Sequence, residues 1–131
     1  MKSLLDTNIC IGILNSRDPV LKQKLTAKPP SDFVLCSVVK AELIYGARKS
    51  QKVESNLQLL QDFFGIFESL PFDDEAATHY GVLRTTLEKA GTPIGASDLM
   101  IASIALAYDL VLITRNQREF LRVPALRVES W

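Results

Sequence analysis

The chain has 131 residues, 47% of them hydrophobic and 23% charged, and its 15 basic and 15 acidic side chains cancel to a formal net charge of zero. That length suits one domain, residues 1–131, and that much apolar material supplies a core, which excludes an extended disordered polypeptide. Neutrality argues against gripping nucleic acid through bulk charge but leaves room for a local basic patch.

The stretch Leu4-Leu5-Asp6 reads as the end of a strand that begins at residue 2 and stops at Asp6. A carboxylate is thereby held at a strand's carboxyl end, where open parallel sheets keep their ligand sites. Thr7 or Asn8 can cap a short helix through Ile9, Cys10, Ile11, Ile13 and Leu14 that ends near Asn15-Ser16. Asp18 as cap and Pro19 in the first turn open another over Val20 to Ala27, and Pro29-Pro30-Ser31-Asp32 breaks the pattern. Phe33-Val34-Leu35-Cys36 is a continuous apolar run, as expected of a strand covered on both faces. Ser37 begins a helix that buries Val38, Val39, Leu43, Ile44 and Ala47 and carries Glu42 on another side. A further helix runs from about Gln51 to Phe64 and stops at Gly65. Phe67 to Phe72 predicts a third strand, and Asp73-Asp74-Glu75 loads acid onto the start of a helix closed by Gly91-Thr92-Pro93. Ser97 to Tyr108 is almost all small or apolar and predicts the buried central helix, with strands following at Leu110 to Ile113 and Leu126 to Val128. The alternation implies an α/β fold with a parallel sheet of about five strands and helices on both faces.

Cys10 and Cys36 sit in apolar settings without metal-ligand spacing and read as reduced core residues of a cytosolic protein. Asp6 interrupts the opening apolar run at once, so no secretory signal is expected, and no apolar stretch approaches the length needed to span a bilayer. The single histidine, His79, lies mid-helix beside Tyr80 with no second His or nucleophile in view, which removes triads and paired-His hydrolysis.

The chemistry that remains is acidic. Asp6, Glu42, Asp98 and Asn116 each follow a strand-like or helix-opening apolar stretch, and in one parallel sheet they converge on the same edge. Taken singly, each has an ordinary reading as a helix cap, a solvated helix residue, a dipole partner or a turn residue. Carboxylates gathered together repel unless a cation lies between them, and oxygen ligands suit Mg²⁺ or Mn²⁺ where Zn²⁺ would recruit His or Cys. A metal site is therefore expected before any reaction is.

Four blocks of sequence then match a known family: Leu5-Asp6-Thr7-Asn8, the run from Ser37 to Gly46, the run from Ile94 to Ala102, and Thr114-Arg115-Asn116-Gln117-Arg118-Glu119-Phe120. Over nearly its whole length the chain resembles the PIN-domain ribonucleases, specifically the VapC-type toxins of toxin–antitoxin pairs. The resemblance implies a PIN-like α/β/α sandwich, a cytoplasmic endoribonuclease using Mg²⁺ or Mn²⁺ and leaving 5′-phosphate and 3′-hydroxyl ends, and a cognate antitoxin that silences it. It implies that Asp6, Glu42 and Asp98 bind the metal and that Asn116 takes the fourth position. An amide there supplies only a neutral oxygen, so Glu119 is the other candidate, and Thr7 and Thr114 match pocket-lining residues. Arg48, Lys49, Lys52, Arg115 and Arg118 are candidates for a rim that touches RNA phosphates, with plain solvation of each as the alternative. Homodimers are common in that family, and the apolar helix Val53 to Phe64 could supply a face or belong to the core. Two other readings stand beside this one: a catalytically inactive PIN-like binding module, and an Asp-dependent phosphoryl-transfer protein, which would want a second Asp where Asn8 stands.

Overall fold

Leu4 pairs with Val34 on one side and with Leu112 on the other, so the first strand of the chain lies in the middle of the sheet. The computed structural model describes residues 1–15 and 18–131. The strands are β1 (Ser3–Leu5), β2 (Phe33–Cys36), β3 (Glu68–Leu70), β4 (Val111–Thr114) and β5 (Arg127–Ser130), all parallel, in the order β3-β2-β1-β4-β5. The helices are α1 (Thr7–Leu14), α2 (Pro19–Thr26), α3 (Ser37–Arg48), α4 (Val53–Phe64), α5 (Asp74–Lys89), α6 (Ala96–Ala107) and the short α7 (Gln117–Phe120). Parallel strands need crossovers, and their right-handed rule puts α1–α4 on one face of the sheet and the α5–α6 pair on the other. No helix among the described residues is long and apolar enough to cross a membrane.

The core follows from this layering. Leu4, Val34 and Leu112, aligned across three strands, are each 0% exposed, and α6 buries Leu99, Ile101, Ala102, Ser103, Ile104 and Ala105 as the expected central helix. The predicted stop of α5 is a left-handed Gly91 with φ of 72°, whose amide bonds to Glu88 while Thr92 bonds back to Leu87. That is the turn only glycine adopts without penalty. Gly12 has a packing reason instead, since a Cβ there would meet Leu21 Cδ1 at 2.5 Å and force that buried side chain to shift. Tyr108, at the end of α6, donates to Asp73 at 2.5 Å and ties it to the start of α5.

Several expectations shift. Asp6, not Thr7 or Asn8, caps α1, because its Oδ1 accepts the Ile9 amide. Ser16, expected near the end of that helix, lies outside the described residues. The third strand shrinks to Glu68–Leu70, since Phe67 turns into the core ahead of it and Pro71 has no amide to extend the ladder. The fifth strand moves on to Arg127–Ser130, where an edge position lets polar residues pair with β4. One turn of helix, α7, was not anticipated between them. Within α4, Leu60 and Phe63 are buried while Leu59 is 48% exposed, so most of that apolar face is core.

Candidate active site

The chain adds β2 and β3 on one side of β1, then returns to place β4 and β5 on the other, so β1 and β4 flank the point where strand order reverses. Open parallel sheets leave a crevice at the carboxyl ends of such a pair. Asp6 follows β1 and Thr114 ends β4 at that crevice. Asp6 is only 4% exposed, and both its oxygens are held: Oδ1 accepts the Ile9 amide at 2.9 Å and Oδ2 accepts the Thr114 hydroxyl. The Thr114 oxygen accepts in turn from the Asn116 amide at 2.9 Å, which fixes the loop after β4. Burial pushes the Asp6 carboxyl above its usual range, the bonds from Thr114 and Ile9 pull it back, and the charge of Glu42 adds to the rise.

Glu42 comes from α3, half-buried, and its Oε1 accepts the Thr7 hydroxyl at 2.5 Å. Capping by Asp6 makes Thr7 the first helical residue and leaves its hydroxyl for this bond. Asp98 stands in the first turn of α6. Its carboxyl is pushed up to about 6, first by burial, then by Glu119 within hydrogen-bonding reach, then by the charges of Glu42 and Asp6. Four separate elements thus bring Asp6, Glu42, Asp98 and Glu119 into one electrostatic field. His79 takes no part in the environment of either Asp6 or Asp98.

Among the described residues, no three His, Cys, Asp or Glu side chains are gathered at ion-binding distance. The oxygens of Asp6, and one of Glu42, are engaged by hydroxyl and amide donors instead. The donor chemistry nevertheless fits a hard divalent cation: carboxylates from separate elements lie at the crevice, and neighbouring acid charges add to the rise of Asp6 and Asp98. Clasping an ion needs side-chain rotation, with the Glu42 and Asp98 carboxylates the least constrained. Asn116 occupies the capping position of α7 but makes no side-chain cap bond, and it is Glu119 that stands against Asp98.

The expected basic rim divides. Arg115 is an anchor: its guanidinium pairs with Asp18 and its Nε donates to the Trp131 carbonyl at 3.3 Å. It is therefore committed within the fold and not free for phosphate. Asp18 had no sequence signal for this role, because it lies 97 positions from Arg115 and already caps α2 through Val20 and Leu21. Arg48, Lys49, Lys52 and Arg118 are exposed and form no ion pair with another described residue. Cys10 and Cys36 are free and buried, and burial raises both thiols, Cys36 to about 11, so they stay protonated and inert. Beside Glu42 opens an apolar groove of about 270 Å³, lined by Ile11, Leu14, Leu43, Ala47, Leu59 and Leu60 among others.

Comparison with known proteins places this geometry. Residues 3–126 match the PIN domain. The chain is 39% identical over 131 residues to the tRNA(fMet)-specific endonuclease VapC of Salmonella typhimurium, covering 100% of this chain and 98% of that one. It is 40% identical over 129 residues to ribonuclease VapC2 of Rickettsia felis, covering 98% and 96%. Its fold superposes on the DNA-bound VapBC of Salmonella typhimurium with a TM-score of 0.94 at 39% identity, over 100% of this chain and 98% of that one. It also superposes on FitAcB of Neisseria gonorrhoeae with a TM-score of 0.87 at 26% identity, over 96% and 95%.

Proposed function

The chain belongs to the PIN-domain family as a VapC-type toxin, and from that premise we propose that it cuts RNA in the crevice of Asp6, Glu42 and Asp98 with Mg²⁺ or Mn²⁺ as cofactor. It is an endoribonuclease neutralised by a cognate antitoxin. The observation that carries the site assignment is the gathering of carboxyls from separate elements at one crevice, where burial first and then the neighbouring Glu119, Glu42 and Asp6 push Asp98 up to about 6. Part-buried carboxyls brought together at a strand-order reversal, with no basic partner among them, suit a cation. A phosphoryl-transfer nucleophile is a poorer reading, since both oxygens of Asp6 are tied down.

Asp6, Glu42 and Asp98 would hold the ion, which supplies positive charge against the phosphodiester and lowers the pKa of water beside it. The Ile9 amide and Thr114 hydroxyl keep the Asp6 carboxylate fixed, and Thr7 holds one oxygen of Glu42, so Asp6 is set in advance while Glu42 and Asp98 would turn to meet the ion. Asp98, its carboxyl pushed up to about 6 with Glu119 beside it, is placed to accept a proton from the attacking water. We place the antitoxin's contact in the apolar groove beside Glu42, where a seated side chain would also block the crevice. We place the protein in the cytoplasm.

The two relatives named as tRNA(fMet)-specific make that tRNA the first substrate to try. Purified antitoxin-free chain is incubated with a tRNA(fMet) transcript and Mn²⁺ or Mg²⁺, beside an EDTA control and Asp98→Asn. Cutting that requires both the ion and Asp98 is the expected result; cutting that survives EDTA or the substitution would refute the site.

A further inference from the structure

We propose that Tyr45 and Lys49 form a subsite that stacks one nucleobase of the RNA beside the phosphate to be cut, an inference that rests on the ribonuclease reading above. Glu42, Tyr45 and Lys49 follow one another at i, i+3 and i+7 on α3, so they line one side of the helix over about 10 Å. Their helix buries Val39, Leu43 and Ala47 on the opposite side, yet the Tyr45 ring is 65% exposed. The ring is therefore not core. Lys49 Nζ stands 4.8 Å from its centroid, a cation–π contact that steadies the ring while leaving most of it to solvent.

The charge pattern favours RNA as the occupant. A crevice of carboxylates repels a polyanion, so affinity must come from outside it. A neutral aromatic ring suffers no such repulsion, and every base has a face to stack on it. Exposed cations continue the track in Arg48, Lys49 and Lys52, where phosphates on either side of the stacked base would fall. Arg48 and Lys49 at the end of α3 also suit the helix dipole, which explains their charge but not the exposed ring. Single-stranded loops present the unstacked bases that such a platform takes.

The test measures binding of tRNA(fMet), fluorescently labelled, to full-length Asp98→Asn protein that cannot cut it. A set of the same RNA carries one abasic position at a time. Adding Tyr45→Ala should weaken binding about tenfold and Tyr45→Phe less than about twofold. One abasic position should cost the parent the same factor and cost the Tyr45→Ala protein nothing. Lys49→Ala should flatten the salt dependence. Unchanged affinity in Tyr45→Ala, an equal loss in Tyr45→Phe, or no coupled abasic position overturns the subsite. So does a change in molar mass by light scattering, or weakened antitoxin binding with RNA affinity intact, either of which assigns the ring to a protein interface. Metal-dependent cutting by wild type with no effect of Tyr45 removes the subsite alone; a wild type that neither binds nor cuts any RNA of a tRNA panel removes the ribonuclease reading with it.

Discussion

Asp98→Asn should make the metal-free protein more stable at pH 7.5 while removing its response to metal. The Asp98 carboxyl rises from 3.8 to about 6 on folding, so its ionised form opposes the fold above that value. The penalty fades as pH falls through about 6 toward 3.8, where the folded carboxyl is protonated. Fully shielded, such a rise would correspond to about 3 kcal/mol. Asp98 is only half-buried, and solvent screening halves this to about 1.5 kcal/mol. Losing a carboxylate from the first turn of α6 costs back about 0.5 kcal/mol of dipole interaction. The net gain of about 1 kcal/mol corresponds to a Tm rise of about 3 °C for a chain of this size. Thermal melts with EDTA at pH 7.5 and pH 4.5 read it directly: the variant should lead at the higher pH and lose that lead at the lower. Mn²⁺ at ten times its Kd should then stabilise wild type by about 1.4 kcal/mol and the variant by much less. A variant that melts lower at pH 7.5 without metal, or a gap that ignores pH, would show that Asp98 serves the helix and not the crevice.

Asp18→Ala and Arg115→Ala should each slow cutting, and the double variant should be no slower than the worse single one, because the two side chains form one anchor. Additive losses in single-turnover rates would separate them. Leu59→Asp puts a charge at the mouth of the apolar groove on a residue 48% exposed, so the fold should tolerate it. Cutting should persist while inhibition by the antitoxin weakens; unaltered inhibition would place the antitoxin elsewhere. Leu4→Ala opens a cavity in the central strand at a side chain 0% exposed, and urea melts should record a loss of about 3 kcal/mol.

The helices and the central strands were legible because burial imposes a period. Phe33 to Cys36 has no polar interruption and is a strand buried on both faces, and α6 is almost wholly apolar or small from Leu99 to Ala105 because that stretch is nearly all buried. Edges were harder to read. β5 has only partly exposed and exposed residues, so no apolar run marks it, and its bounds come from pairing with β4. Three carboxyl positions and Asn116 could be named because each follows a strand-like or helix-opening apolar stretch. What could not be read was which partners they would find: Thr7 on Glu42, Thr114 on Asp6, Asp18 on Arg115 are separated by 35, 108 and 97 positions. Such pairs exist only once the sheet has closed.

The placement of β1 in the middle of the sheet has a bearing on when the crevice is assembled. Synthesis delivers β1 first, but its neighbour β4 and the Thr114 hydroxyl that holds Asp6 come 108 positions later. Glu119 arrives later still. A chain emerging from the ribosome therefore carries Asp6 without the strand and hydroxyl that hold it until nearly all of it has been released. Contacts this distant also close slowly. The groove-forming α1, α3 and α4 have all emerged before that crevice can close.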